Sequence, residues 1–288
     1  MKYSNPKIKE GINTTETSPL KEFSFLTVTV LTAVILLTAL VAVSVDYLAG
    51  YVPFDTEVSL SQDIAEKLNA KDNEIDQYLQ HLANKIVPHM NLPQGMSVTL
   101  HYANNDTVNA MATLGGHIIV YRGLLEKMPN ENALLMLIGH EIGHVKLRHP
   151  IKALGKGVVL SLIMASILGD ASDAVSGIMG DSSMIMMLSY SRDQEQVADD
   201  EGISGLNALY GHVEGATELF EIFKKQSKES LMTPPQFLSS HPDLDNRIAY
   251  LTDMAVRNSW YQTGVLSAIP SSIVKKLSDD NKSREQTP

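Results

Sequence analysis

Residues 131–150 read ENALLMLIGHEIGHVKLRHP, and this stretch decides how the rest of the chain is read. Leu134, Leu135, Leu137, Ile138, Ile142 and Val145 recur at the spacing of a broad apolar helical face. Glu131 falls in the first turn, where the helix dipole favours an acid, and Pro150 bars continuation beyond residue 149. Within the helix runs His140-Glu141-Ile142-Gly143-His144. Residues four apart project from one side of a helix, so the two imidazoles can reach a single Zn2+ at ~2.0–2.1 Å each. Glu141, one step round, stands outside that pair. There it can take a proton from an attacking water and return it to a leaving amine. The alternative is two structural histidines around a solvent-facing acid. An unpaired acid in a helix that otherwise calls for Leu and Ile is costly, which favours the metal.

A catalytic zinc site needs a third protein ligand, with one position left to solvent. A third His ten residues after the first is excluded, because position 150 is Pro and position 147 is Leu rather than Gly. His149 is one residue off and reads as a capping or surface histidine. Residues 191–199, SRDQEQVAD, supply another solution. Glu195 and Asp199 are four apart on a second expected helix, so both carboxylates face one way. Glu195 is the expected ligand, and Asp199 the acceptor for the free ring N–H of a liganding His. Asp193, Asp200 and Glu201 compete, and a solvated acidic face is the plain alternative.

The chain has 288 residues, 44% of them apolar, enough for one mid-sized domain with appendages. A formal charge of −10 and the lack of a basic stripe argue against a nucleic-acid partner. The absence of cysteine excludes disulfides, thiolate metal sites, cysteine nucleophiles and a lipoprotein anchor. Residues 23–45 carry no charge, Pro or Gly and are long enough to cross a hydrocarbon core of ~30 Å. A cleavable signal peptide has an apolar region of only ~7–15 residues, so an uncleaved signal anchor is expected. Lys2, Lys7, Lys9 and Lys21 precede this span, whereas the next basic residue is Lys67. The positive-inside rule then keeps residues 1–22 in the cytoplasm as a polar tail. It sends the catalytic domain to the periplasmic or extracytoplasmic side of the inner membrane.

Residues 52–57 read as a juxtamembrane link, 60–69 and 74–87 as helices, and 97–121 as a small antiparallel meander with turns at 104–106 and 115–116. The expected domain runs over 46–257. Residues 258–288 form a tail, disordered from 278. A second apolar run at 157–168 leads into a methionine-rich stretch holding Met164, Met179, Met184, Met186 and Met187. Core packing, a mobile lid or a membrane-dipping element are the readings open for it. The fold class is α+β, mainly helical, preceded by one transmembrane helix.

Three blocks carry a family resemblance: Asn109-Ala110 through Gly115-Gly116 to Gly123-Leu124-Leu125, then 140–144, then 191–199 followed by Ser240-His241-Pro242 and Arg247-Ile248. In this order, over about residues 60–250, the chain resembles the membrane-associated gluzincin zinc metallopeptidases. These include the CAAX prenyl protease, the heat-shock protease HtpX and the Oma-type mitochondrial proteases. A single N-terminal span resembles the bacterial envelope members most. The resemblance implies a zincin-like domain with one zinc per chain and endoproteolysis of unfolded or misassembled envelope proteins. It also implies that the Asn109 strand is an edge to which an extended substrate adds. His241 or Arg247 would stabilise an oxyanion, or His241 would approach the metal and gate it. The rival reading is an envelope chaperone or assembly factor whose proteolysis is latent.

Overall fold

The computed structural model describes residues 18–62, 66, 68, 73–168, 190–229, 241 and 244–285. Expectations for residues 1–17, for most of 63–72 and for the methionine-rich stretch from 169 to 189 fall outside these residues. The chain forms two compact units, Met1–Ser44 and Val45–Pro288. The first is dominated by α1, Pro19–Leu48, whose last turn belongs to the second. At 1.5 Å per residue, α1 is roughly 45 Å long. Its large apolar side chains, among them Phe25, Leu26 and Leu36, are exposed. Among the described residues it is the one helix long and apolar enough to cross a membrane.

The second unit contains helices around a small sheet. Helix α2, Phe54–Leu60, occupies much of what reads as a link in the sequence. Helix α3, Glu74–Ile86, starts at a reciprocal cap. The Asn73 side chain accepts from the Ile75 and Asp76 amides, and Asp76 accepts from the Asn73 amide. α3 confirms the helix expected over 74–87, and its apolar stripe is buried at Ile75, Leu79, Leu82 and Ile86. On another face Gln80 accepts the Leu100 amide at 3.0 Å, which ties α3 to the sheet.

The strands are β1, Thr99–Ala103, β2, Ala110–Ala112, and β3, His117–Tyr121. The sheet order is β1-β3-β2, with β1 parallel and β2 antiparallel to β3. The sheet is therefore mixed, not the antiparallel meander expected. β3 holds the uninterrupted apolar run Ile118-Ile119-Val120, all buried, whereas β1 exposes Thr99 and half-buries Tyr102. The most apolar strand takes the middle and so separates its two predecessors. Gly115 and Gly116, at φ 70° and 79°, make the left-handed turn that folds β2 back on β3.

After the short α4, Arg122–Leu125, comes the central helix α5, Glu131–Lys146. The Asn130 side chain caps it by accepting the Ala133 amide at 2.9 Å. Every residue from Glu131 to Val145 is buried. Then come α6, His149–Leu168, α7, Arg192–Tyr210, α8, Glu218–Glu229, α9, Leu244–Arg257, and α10, Ser271–Glu285. The expected tail disorder from 278 is corrected by α10. Ile273 and Leu277, four apart in a mostly polar sequence, bury themselves in the main core, while Val274 stays exposed.

Helices α5 and α7 approach unusually closely. A Cβ at Gly139 would lie 3.0 Å from the Gly202 Cα, and one at Gly143 3.1 Å from the Ala198 Cα. Glycine inside a helix costs about 1 kcal/mol relative to alanine. Here it lets two backbones meet, which brings Glu195 and Asp199 beside the histidines of α5.

Candidate metal centre

α5 contributes His140, Glu141 and His144, and α7 contributes Glu195 and Asp199. Ser191 starts α7 with a capping box, its hydroxyl accepting the Gln194 amide and Gln194 accepting the Ser191 amide. Glu195 therefore sits in the first turn, where the helix dipole favours a carboxylate. His241 precedes α9 and Arg247 lies on it. All these side chains are buried and converge.

His140, His144, Glu195 and His241 each offer a donor atom within 4.8 Å of the others, so the group could hold one metal ion. The two histidine Nε2 atoms are 3.0 Å apart. Glu195 lies 3.6 Å from His140 Nε2 and 3.4 Å from His144 Nε2. His241 Nδ1 is 3.3 Å from His140 Nε2 and 2.9 Å from the Glu195 Oε1. Bonds of ~2.0–2.1 Å to a tetrahedral ion imply donor separations of roughly 3.3 Å. Three nitrogens and a carboxylate with these spacings suit zinc.

Glu141 is fully buried, and among the described residues neither carboxylate oxygen has a hydrogen-bond partner. Its nearest ionic neighbour is His241 Nε2, 3.6 Å from Oε1. Asp199 is held differently. It lies 2.9 Å from His140 Nδ1 and accepts two hydrogen bonds from Arg247, at 2.6 and 2.7 Å. Arg247 also reaches Glu195 at 2.7 Å and stacks 4.6 Å over the Phe220 ring. Burial pushes the Asp199 carboxyl up, but the Arg247 charge and the bonds from His140 and Arg247 outweigh it and hold it below the usual range. At Glu195, too, burial is outweighed, here by the His241 charge and by bonds from His144 and His241, leaving that carboxyl well below its ordinary value. Burial lowers the His144 imidazole well below its usual value.

Residues 69–255 match the family model described as Peptidase family M48. The chain belongs to peptidase family M48. It is 26% identical over 212 residues to the beta-barrel assembly-enhancing protease of Yersinia pestis, covering 68% of this chain and 43% of that one. Against the metalloprotease LoiP of Escherichia coli it is 28% identical over 209 residues, covering 68% of this chain and 79% of the relative. The mitochondrial metalloendopeptidase OMA1 of Arabidopsis thaliana matches at 26% over 163 residues, covering 57% and 33%. The chain thus spans about two fifths of the beta-barrel assembly-enhancing protease it matches.

Two residues of this M48 site escape the sequence reading. His149, expected as a capping or surface residue, is buried, and its Nδ1 lies 2.7 Å from the His144 Nδ1. Nothing in the sequence says how the chain turns after Lys146, so the approach was not legible. Tyr190 stacks on the His144 ring with centroids 3.9 Å apart and planes 20° from parallel. An aromatic residue directly before the Ser191 cap was its only signal.

Asn109 lies just before β2 and is buried. Its carbonyl accepts from the Tyr121 amide at 3.2 Å, toward β3 rather than outward. By the same register the main-chain groups of Ala110 and Ala112 point to the outer edge. There the Tyr190 hydroxyl donates to the Ala112 carbonyl at 3.4 Å. A separate cavity of about 350 Å³ between α7 and α9, lined by Arg192, Gln196, Asn246 and Tyr250, reaches Glu195, Asp199 and Arg247.

Proposed function

We propose that this chain is a membrane-anchored, zinc-dependent endopeptidase that cuts unfolded or misassembled envelope proteins. The observation that carries this reading is the buried Glu141 carboxylate, without a hydrogen-bond partner among the described residues, beside a four-donor cluster. A native fold keeps such a group only where it has work to do. Bound by His140, His144 and Glu195, zinc supplies a Lewis acid that polarises a carbonyl and makes water more acidic. Glu141 takes the proton from the attacking water and returns it to the leaving nitrogen. Asp199 accepts the Nδ1 proton of His140 and keeps that ring in the liganding tautomer. Arg247, considered above for an oxyanion, has its guanidinium committed to Asp199 and Glu195 and acts by holding both.

His241 takes the gating role. Its Nδ1 lies 2.9 and 3.0 Å from the Glu195 oxygens, inside the donor cluster, and in this reading the ring moves aside when a peptide enters. An extended peptide adds along the outer edge of β2 through the main chain of Ala110 and Ala112, taking the place of the Tyr190 hydroxyl at the Ala112 carbonyl, with Asn109 fixing the start of the strand. Main-chain pairing of this kind is tolerant of sequence, which suits unfolded substrates. The printed name of the Yersinia pestis relative, a beta-barrel assembly-enhancing protease, supports an envelope role. The charge asymmetry about residues 23–45 supports an inner-membrane anchor with the domain outside.

Glu141→Gln should retain zinc by elemental analysis and lose cleavage of casein. Undiminished turnover would remove Glu141 from the chemistry. Glu195→Ala should lose the ion, and a full zinc complement in that variant would move the third ligand elsewhere.

A further inference from the structure

Building on the metal-centre reading, we propose that His149 is a positioning residue for His144: it accepts the Nδ1 proton of that ring and so leaves Nε2 free to bind the ion. A liganding imidazole has one nitrogen for the metal, and its other N–H needs a fixed acceptor. For His140 that acceptor is Asp199, at 2.9 Å. His144 has a different partner. Its Nδ1 faces the Nδ1 of His149 at 2.7 Å. Two neutral ring nitrogens at that distance share one proton, one donating and the other accepting. With His144 as donor, its Nε2 lone pair points toward His140 and Glu195, where the donors converge.

The surroundings fix this orientation from two sides. Tyr190 lies flat on the His144 ring. His149 meets the ring at 64° with centroids 4.9 Å apart. The corner that delivers His149 is itself clamped. Arg148 adopts a left-handed φ of 60°, a conformation that a non-glycine residue takes only where its surroundings hold it there. Its side chain pairs with the buried Glu57, donates to the Val52 carbonyl at 2.9 Å and lies 5.7 Å over the Phe54 ring. These contacts hold the turn that points the next residue back at the metal helix. His149 is 3% exposed, so its ring is fixed in place by its neighbours.

The test compares His149→Asn with His149→Leu in the 288-residue chain in detergent. The two side chains have nearly the same shape, but only Asn carries an acceptor where the His149 Nδ1 stands. Zinc affinity is read by competition with a chromogenic chelator, and the absorption spectrum of the cobalt-loaded protein reports the ligand field. His149→Leu is expected to weaken zinc by about 10–100-fold and to shift the cobalt bands. His149→Asn should stay near the wild-type value. Leu binding as tightly as wild type, or Leu and Asn losing affinity equally, overturns the proposal. If either variant melts before loading, nitrogen-15 NMR of the zinc-loaded wild type decides instead. A proton on His144 Nδ1 hydrogen-bonded to His149 supports the proposal, and an unprotonated Nδ1 sinks it. A wild-type chain that binds no zinc would bring down the metal-centre reading itself, an outcome distinct from tight binding by His149→Leu.

Discussion

The Arg247 guanidinium and the Asp199 carboxylate meet through two hydrogen bonds, from Nη2 at 2.6 Å and from Nε at 2.7 Å, with both groups buried. This fork-to-fork pairing is the strongest geometry open to the two side chains. It joins α9 to α7 directly behind a histidine of α5. Taking Arg247 away would leave Asp199 and Glu195 as buried carboxylates short of positive charge. Arg247→Ala is expected to lower unfolding free energy by about 3–5 kcal/mol. Arg247→Lys, which keeps the charge but not the fork, should fall between. Urea titration of the metal-free chain measures both, and equal stability in all three proteins would contradict the role given to this pair.

Glu141→Gln separates chemistry from folding. Cleavage should fall by about 10²–10⁴-fold, the contribution of a positioned general base. The metal-free variant should melt no earlier than wild type. The Glu141 oxygens make no hydrogen bond among the described residues, so the change to an amide removes none. Calorimetry and a peptide assay on one preparation give both readings. A marked drop in melting temperature would mean that the carboxylate has a structural partner.

His241→Ala should keep its zinc, because His140, His144 and Glu195 remain. With the ring that bonds Glu195 at 2.9 and 3.0 Å removed, a short peptide substrate gains an open approach. Faster turnover than wild type is expected. Slower turnover with the ion retained would assign the ring to catalysis instead of gating.

The pair His101–His117 makes stability depend on pH. Their nitrogens are 2.9 Å apart across β1 and β3. Burial, with a smaller contribution from His117, lowers the His101 imidazole to about 4. In the unfolded chain the same group titrates near ~6.5. Between these values the unfolded chain binds the proton and the folded chain does not. Stability should therefore be level above pH ~6.5, decline as pH falls toward 4, and level off below that. Allowing for partial solvent screening, the loss is on the order of 1–2 kcal/mol. Subtracting the profile of His101→Gln isolates it from other titrating groups. Identical profiles would show that the pair is not coupled to folding.

What could be read from the chain was what local spacing encodes. The pairs His140–His144 and Glu195–Asp199 are each four apart, so helical geometry alone aligns them before any tertiary contact is known. The apolar stripe of α3 was legible for the same reason. The order of the strands was not, because β1 pairs with β3 rather than with β2, its neighbour in sequence, and no local spacing encodes that pairing. His149 depended on the left-handed corner at Arg148, and residue identity does not announce such a corner. Helix α10 rests on two apolar residues, Ile273 and Leu277, too few for periodicity to register. Gly139, Gly143 and Gly202 were visible throughout, but their meaning appeared only when the two helices were seen in contact.

That contact has a consequence for how the centre tolerates change. A methyl group grafted at position 143 or 202 would press on backbone atoms 3.0–3.1 Å away and wedge the helices apart by tenths of an ångström. The displacement would carry the Glu195 oxygen off the two rings while leaving each helix whole. A chain so altered can still fold and yet grip its ion poorly, so the spacing of the donors is more fragile than the architecture around them.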